Sequence, residues 1–136
     1  MVLDTSAILA ILQNEPERRQ FNEAIEAADT RSLSTASFME CSMILESRYG
    51  ADGVRDLDLF IAKAQVSLVP VVEEQADLAR HGFRKYGKGR HPAGLNFGDC
   101  FCYALSKRLE EPLLFKGNDF SQTDVDCHPA STAGNA

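Results

Sequence analysis

Short apolar runs alternate with longer amphipathic stretches along most of the chain. Four apolar runs bounded by polar residues are predicted as strands, at residues 2–4, 31–35, 66–72 and 112–116. The stretches between them repeat apolar residues about every 3.6 positions, which is typical of amphipathic helices. These helices are predicted over residues 5–15, 16–29, 36–50, 52–65, 73–87 and 99–110.

This order of elements predicts an α/β fold, because strands separated by helices are typical of parallel sheets. We expect a central parallel sheet of about four to five strands, flanked by helices on both faces. Residues 1–129 are predicted to form a single domain, and residues 130–136 a disordered tail. Thr5 or Ser6 is the candidate N-cap of the first helix, and Gly50 the candidate end of the third.

The composition is that of an ordinary globular protein, and the sequence argues against a membrane-spanning or secreted protein. The 136 residues are 44% hydrophobic and 25% charged, and no run approaches the roughly 20 apolar residues of a membrane span. The first residues lack the basic segment of a secretory signal, so we expect a cytoplasmic protein whose four cysteines stay reduced. Cys100 and Cys102 are best interpreted as small buried side chains, because their spacing to Cys127 and His128 does not fit the common zinc patterns.

The charge is negative overall but unevenly distributed. A net charge of −6 argues against a protein that binds nucleic acid with its whole surface. The segment from residue 80 to residue 90, however, holds basic residues and no acidic one. Four of them are candidates for contacts to phosphate: Arg84, Lys85, Lys88 and Arg90.

Acidic residues stand where predicted strands end and helices begin. Asp4 and Asp119 follow apolar strands, Asp99 opens a helix, and Glu40 lies among apolar residues inside a helix, where it is predicted to face the core. In parallel sheets, ligands bind beyond the carboxyl ends of the strands. Each acid also has an ordinary interpretation: a helix cap for Asp4 and Asp99, a turn for Asp119, and an ion pair for Glu40.

Together, four such acids indicate a metal site. Clustered carboxylates raise one another's pKa unless a positive charge lies among them. Oxygen-only ligands favour Mg²⁺ or Mn²⁺ over zinc. One or two such ions are the usual means of cleaving a phosphodiester with an activated water.

Four segments of the chain, in order, resemble the PIN-domain family, and within it the VapC-type ribonuclease toxins of bacterial type II toxin–antitoxin systems. They are "VLDTSAILAIL", "STASFMECSMIL", "LNFGDCFCYALSK" and "PLLFKGNDFSQTDV". The resemblance implies a single PIN-like domain with Mg²⁺- or Mn²⁺-dependent endoribonuclease activity, directed at single-stranded RNA. It also implies inhibition by a cognate VapB-type antitoxin, a homodimer, and contact with operator DNA only through the antitoxin.

The resemblance also assigns residues. Asp4, Glu40, Asp99 and Asp119 match the family's acidic quartet, as catalytic residues and metal ligands. Three further positions are supporting residues: Ser6 beside the first acid, Asn118 beside the last, and Asp124, which either acts through water on a second metal or is simply solvated. On this interpretation the phosphate-contact candidates become RNA-binding residues. His91 is a weaker candidate for a general base.

Two other functions remain open from the residues. An aspartyl-phosphate enzyme, either a phosphatase or a phosphotransferase, also has an aspartate after its first strand. Such enzymes of the haloacid type carry a second aspartate two residues later, where this chain has Ser6. A PIN-fold binding module without catalytic activity is the other alternative, although all four acids are present.

Overall fold

The computed structural model describes residues 1–132 and consists of one parallel sheet with helices packed on it. The strands are β1 (Val2–Leu3), β2 (Ser32–Ser34), β3 (Ser67–Val69) and β4 (Leu113–Leu114). The helices are α1 (Thr5–Leu12), α2 (Arg18–Ala27), α3 (Thr35–Tyr49), α4 (Ala51–Lys63), α5 (Glu73–Tyr86) and α6 (Phe97–Leu109). A short 3-10 helix follows at Phe120–Gln122.

The sheet has the order β3-β2-β1-β4, and every pair of neighbouring strands is parallel. Val2 on β1 pairs with Ser32 on one side and with Leu113 on the other. The strand that opens the chain is therefore central. The predicted α/β fold is confirmed. Four strands form the sheet in the described residues, where four to five were predicted.

The side chains of each strand point alternately to the two faces of the sheet, so the hydrophobic core consists of two clusters. Leu3 and Leu114 point to one face of the sheet and pack with apolar residues of α1 to α4. Val2, Leu113 and Phe115 belong to the second cluster, which α5 and α6 cover. Because successive strand side chains point to opposite faces, both faces need a helical layer. Helices on both faces were predicted, and this is confirmed.

The ends of the helices show how short polar segments fix the boundaries. Asp4, and not Thr5 or Ser6, is the N-cap of α1: its carboxylate accepts a hydrogen bond from the backbone N–H of Ser6. Gly50 ends α3 with a φ of 65°, as predicted. It also caps the start of α4.

The remaining predictions concern the cysteines and the end of the chain. Cys100 and Cys102 are buried in the second cluster, as expected for small apolar side chains. Ser131 and Thr132 hydrogen bond to Phe115, so hydrogen-bonded structure extends past the boundary predicted at residue 129. The rest of the predicted tail, residues 133–136, lies outside the described residues. In the described chain, no helix combines the length and apolarity that crossing a bilayer would require.

Candidate active site

The site lies beyond the carboxyl ends of β1 and β4. Asp4 directly follows β1, and its backbone N–H donates to the carbonyl of Leu114 at 3.0 Å. Asp119 follows β4 after a turn in which Gly117 has a φ of 123°, a conformation that a side chain would strain. Since neighbouring parallel strands end at the same edge of the sheet, the two acids are delivered to one place.

Asp4 is fixed by its surroundings. Only 5% of the residue is exposed. Its Oδ2 accepts hydrogen bonds from the backbone N–H of Ser6 at 3.0 Å and from the Ser6 hydroxyl at 2.5 Å. The Ser6 Oγ in turn accepts from the backbone N–H of Lys116 at 2.9 Å. This hydroxyl therefore joins the start of α1 to the end of β4 and holds the carboxylate in one orientation.

Glu40 reaches the site from α3 and is held by two residues that the sequence analysis missed. The buried hydroxyl of Thr5 donates to its Oε1 at 2.6 Å. Its carboxylate also lies against Gly98: a Cβ there would come within 2.8 Å of the carboxylate carbon. Glycine near the start of a predicted helix, where alanine is favoured, was the one available signal for Gly98.

The prediction that Glu40 faces the core among apolar neighbours is wrong. The residue is only half-buried, and Met43, one turn further along α3, is 57% exposed. Glu40 instead points to the boundary between α1 and α6. Its position is explained by polar contacts and not by apolar burial.

Asp99 occupies the first turn of α6 within a reciprocal cap. Its Oδ2 accepts from the backbone N–H of Asn96 at 3.0 Å, and its own N–H donates to the Asn96 Oδ1 at 2.9 Å. Burial raises the pKa of Asp99 from 3.8 to about 7, and the negative charges of Asp4, Asp119 and Glu40 act in the same direction. The hydrogen bond from Asn96 opposes this shift.

The four acids therefore lie close enough to repel one another. The pKa of the exposed Asp119 is raised by partial burial and by the charge of Asp4, while an interaction with Asp99 opposes the shift. Between residues 1 and 132, no lysine, arginine or histidine forms an ion pair with any of the four. The ion-pair interpretation of Glu40 thus finds no partner in this part of the chain.

The donor set fits a hard divalent cation. All four acids offer only oxygen, and their mutual repulsion is what a bound cation would relieve. As the side chains stand, however, no three of the described His, Cys, Asp and Glu residues meet closely enough to enclose an ion. The carboxylates therefore have to move together to bind one, which repulsion disfavours until a cation is present.

Asp124 is placed away from this cluster. It accepts a hydrogen bond from the Tyr103 hydroxyl at 2.8 Å and pairs with Lys107 at 3.1 Å. These contacts hold the pKa of Asp124 below its ordinary value, although partial burial acts against them. Asp124 thus has a basic partner of its own, an arrangement that differs from both interpretations, which were a water-mediated role at a second metal and a simply solvated acid.

Among the described residues, none of the other predicted site residues forms an ion pair with the four acids. Asn118 is exposed, and its backbone carbonyl accepts from the Ser121 hydroxyl at 2.8 Å. His91 accepts from the backbone N–H of Ala93 at 3.0 Å and packs edge-on against Tyr86, which indicates a role in shaping the loop. The four RNA-binding candidates are exposed at the end of α5 and in the loop after it: Arg84, Lys85, Lys88 and Arg90.

Known proteins resemble this chain over almost its whole length, and they belong to the family that the sequence motifs indicated. The PIN domain family matches residues 1–126. Ribonuclease VapC30 of Mycobacterium tuberculosis (strain ATCC 25618 / H37Rv) is 53% identical over 125 residues, which cover 92% of this chain and 95% of the relative. This agreement favours the nuclease family over the aspartyl-phosphate enzymes that the sequence left open.

Solved structures share the fold at low sequence identity. The crystal structure of Mycobacterium tuberculosis VapC20, a sarcin–ricin loop cleaving toxin, superposes with a TM-score of 0.74 at 15% identity and covers 91% of this chain and 95% of its own. A toxin–antitoxin complex from Klebsiella pneumoniae gives 0.69 at 16% identity and covers 96% and 93%. With the sequence matches, these findings show that the chain belongs to the PIN-domain family, and within it to the VapC ribonucleases.

Proposed function

We propose that this chain is a divalent-cation-dependent endoribonuclease and the toxin of a toxin–antitoxin pair. The observation that carries the proposal is the convergence of four carboxylates, without a basic partner in the described chain, at the carboxyl end of a parallel sheet. Membership of the VapC ribonucleases supports RNA as the substrate. Repelling acids have no evident benefit for stability, so their convergence favours a role in chemistry.

Asp4, Asp99 and Asp119 would hold Mg²⁺ or Mn²⁺, with Glu40 as a further ligand or as the group that orients the attacking water. When bound, such an ion stabilises negative charge on phosphate oxygens and makes water easier to deprotonate. The chain's own contribution is to keep the carboxylates in place. Ser6 does this for Asp4, and Thr5 does it for Glu40.

Glu40 is the acid that would orient the attacking water or accept its proton. Its Oε1 already accepts from Thr5, so the carboxylate cannot rotate freely, while its other oxygen lies toward Gly98 at the start of α6. A base that is held in one orientation needs less reorganisation when the proton moves. The exposed basic residues after Phe83 would contact RNA phosphates and add affinity without base specificity.

Inhibition by a VapB-type antitoxin and a homodimeric state are part of the same proposal. The matched complex from Klebsiella pneumoniae, in which a toxin and an antitoxin are bound, supports the first. An acidic cluster without a basic partner in the described residues would accept a basic side chain from an inhibitor. Operator DNA would then be reached only through the antitoxin.

Cleavage of a panel of RNAs tests the nuclease. The protein should cut in Mg²⁺, and EDTA should abolish cutting. Asp4→Asn, Asp99→Asn and Asp119→Asn should each lose about a hundredfold or more in rate, because losing one charged ligand removes several kcal/mol at about 1.4 kcal/mol per tenfold. Asp58→Asn, an exposed acid on α4, is the matched control and should cut normally. Cutting that survives EDTA or Asp4→Asn would refute the assignment.

Growth of a bacterial host separates a toxin from a binding module without catalytic activity. Expression of the chain should arrest growth, and expression of Asp4→Asn at the same level should not. Arrest by both forms would mean that binding alone is toxic, which favours the module. Co-expression of a cognate antitoxin should restore growth.

A further inference from the structure

Lys116 lies in the turn between β4 and Asp119, and the proposed chemistry does not use its side chain. That side chain is 17% exposed, less than any other lysine or arginine side chain in the described ion pairs. Its ammonium lies 2.6 Å from the Glu15 Oε1 and 3.1 Å from the Glu17 Oε2. Between residues 1 and 132, no other cation pairs with two carboxylates. The charge of Lys116 is therefore engaged by two partners outside the acidic cluster.

Both partners of Lys116 lie in the connection between α1 and α2. The backbone N–H of Glu15 donates to the carbonyl of Ala10 in α1 at 2.8 Å, and its carbonyl accepts from the N–H of Arg18 in α2 at 3.0 Å. The Oε2 of Glu17 is buried and accepts no well-aligned hydrogen bond within the described residues, so the charge of Lys116 is what compensates it. Lys116 is therefore tied to the end of α1 by an ion pair that is costly to break.

The backbone of the same residue contacts the start of α1. The N–H of Lys116 donates to the Ser6 Oγ at 2.9 Å, and the Ser6 hydroxyl donates to the Asp4 carboxylate. Helix α1 is thus joined to Lys116 at both ends, through Ser6 at its start and through Glu15 just after its end. Since Asp4 is the N-cap of this helix, a movement of α1 away from β4 would carry Asp4 with it.

The turn that carries Lys116 is itself held by a later segment of the chain. The N–H of Gly117 donates to the carbonyl of Thr132 at 2.7 Å, and the N–H of Thr132 donates to the carbonyl of Phe115 at 3.2 Å. The Ser131 Oγ accepts from the N–H of Phe115 at 3.1 Å. Because the backbone on either side of Lys116 is fixed, its side chain restrains α1 relative to the turn.

We propose that Lys116 is a positioning residue for the cation site, which keeps Asp4 and Asp119 close together before a cation binds. Asp4 moves with α1 and Asp119 with the turn, and their like charges favour a separation of the two elements. The contacts of Lys116 join these elements and oppose the separation. The proposal rests on the cation-dependent function proposed above and identifies a residue that sets the affinity of that site for its cation.

A lysine near the site can also act by its charge alone, and the two roles predict changes of opposite sign. If Lys116 acts only through its charge, it repels an incoming cation, and neutralising it strengthens cation binding. If Lys116 positions the acids, neutralising it lets them move apart, and cation binding weakens because more free energy is needed to bring them together. The direction of the change therefore identifies the role.

The melting temperature of the full-length protein at increasing Mg²⁺ concentration measures the affinity without relying on cleavage, because a ligand stabilises only the state that binds it. Lys116→Met should raise the Mg²⁺ dissociation constant about tenfold, the lower end of the range for residues that orient metal ligands. The Mg²⁺ concentration for half-maximal single-turnover cleavage of RNA should rise by the same factor, while the rate at saturating Mg²⁺ stays close to that of wild type. Arg19→Met, which removes the exposed pair with Glu23 on α2, is the matched control and should leave both quantities unchanged.

The Mg²⁺ dissociation constant distinguishes positioning from a contribution to stability. A lower melting temperature of Lys116→Met in EDTA with an unchanged dissociation constant would overturn the proposal, and so would tighter Mg²⁺ binding. If Lys116→Met does not fold, Lys116→Gln, which can still donate a hydrogen bond to Glu17, is measured in its place with the same change expected. If wild type cleaves RNA in Mg²⁺ while the Lys116 variant binds the ion normally, only the positioning role is refuted. If wild type neither binds Mg²⁺ nor cleaves RNA, both proposals fail.

Discussion

Replacing Asp99 by asparagine tests the electrostatics of the acidic cluster while keeping the cap of α6. The amide oxygen of asparagine can accept the hydrogen bond that the Asp99 Oδ2 now receives from Asn96. The negative charge, in contrast, is lost. We therefore expect Asp99→Asn to inactivate the enzyme and, without metal, to make the fold more stable at pH 8.

The raised pKa of Asp99 gives the size of the effect. An increase from 3.8 to about 7 corresponds to about 4 kcal/mol of unfavourable free energy for the ionised group in the folded state, at about 1.4 kcal/mol per tenfold in proton affinity. Since the residue is partly exposed, solvent screening reduces this to about 2 kcal/mol. For a chain of this length, that is about 6 °C in melting temperature.

The sign of the pH dependence follows from which state loses its proton first. Below about pH 4 the carboxyl is protonated in both states, and it causes no penalty. As the pH rises to about 7, the unfolded chain gives up the proton while the folded chain keeps it, so stability falls. Above pH 7 the penalty is constant. The advantage of Asp99→Asn should therefore be small near pH 4 and full at pH 8.

Thermal unfolding in EDTA, followed by circular dichroism between pH 4 and pH 8, measures this difference. Asp58→Asn, exposed on α4, controls for the loss of an acid elsewhere. Addition of Mg²⁺ at pH 8 should raise the melting temperature of wild type and have less effect on Asp99→Asn, because a ligand stabilises only the state that binds it. If Asp99→Asn has the same stability as wild type at pH 8, or the same advantage at every pH, then burial and the neighbouring acids do not penalise the ionised Asp99 carboxylate in the folded state.

Three further predictions concern the two contacts of Glu40 and the exposed basic residues after Phe83. Thr5→Val removes the hydrogen bond to Glu40 and should lower the single-turnover cleavage rate about tenfold. Thr5→Ser keeps the hydroxyl and should retain the rate. Equal rates for the two variants would refute a positioning role for Thr5. Gly98→Ala places a methyl group against the Glu40 carboxylate, so cleavage should fall more than RNA affinity, and normal cleavage would show that Glu40 is free to move. Arg84→Ala and Lys88→Ala should weaken RNA binding and make it less dependent on salt, with a slope smaller by about 0.7 for each RNA phosphate that the variant no longer neutralises. Collapse of their single-turnover rate at saturating RNA would contradict that role.

The sequence predicts the order of the elements well and their ends less well. Residues 66–72 were predicted as one strand, but only Ser67–Val69 is paired. Pro70 has no N–H to donate, and β3 lies at the edge of the sheet, so nothing extends the strand beyond it. Helix α6 begins two residues earlier than predicted, because the side chain of Asn96 caps it in reciprocal contact with Asp99.

In the site too, the features that depend on the order of strands could be predicted, whereas contacts between residues far apart in the sequence could not. The convergence of Asp4 and Asp119 could be predicted, because both follow strands and parallel strands end at a common edge. The contacts of Glu40 could not be predicted from the sequence. Its partner Thr5 is 35 residues away in sequence, and Gly98 is on a different helix, so no periodicity within α3 reveals either. The exposure of Phe97, of which 81% is accessible to solvent, could not be predicted either, because an apolar residue at the start of a helix usually packs inward.

Asp4 shows that a cap and a functional acid need not be alternatives. Its hydrogen bonds from the N–H and the hydroxyl of Ser6 are those of an ordinary N-cap, and they also prevent the carboxylate from turning away from its neighbours. Glu40 and Asp99 are restrained similarly, by Thr5 and by Asn96. Local hydrogen bonds, each contributing about 1 kcal/mol, thus oppose the repulsion between these acids. These contacts keep the acids near one another, although the described side chains as they stand do not enclose an ion.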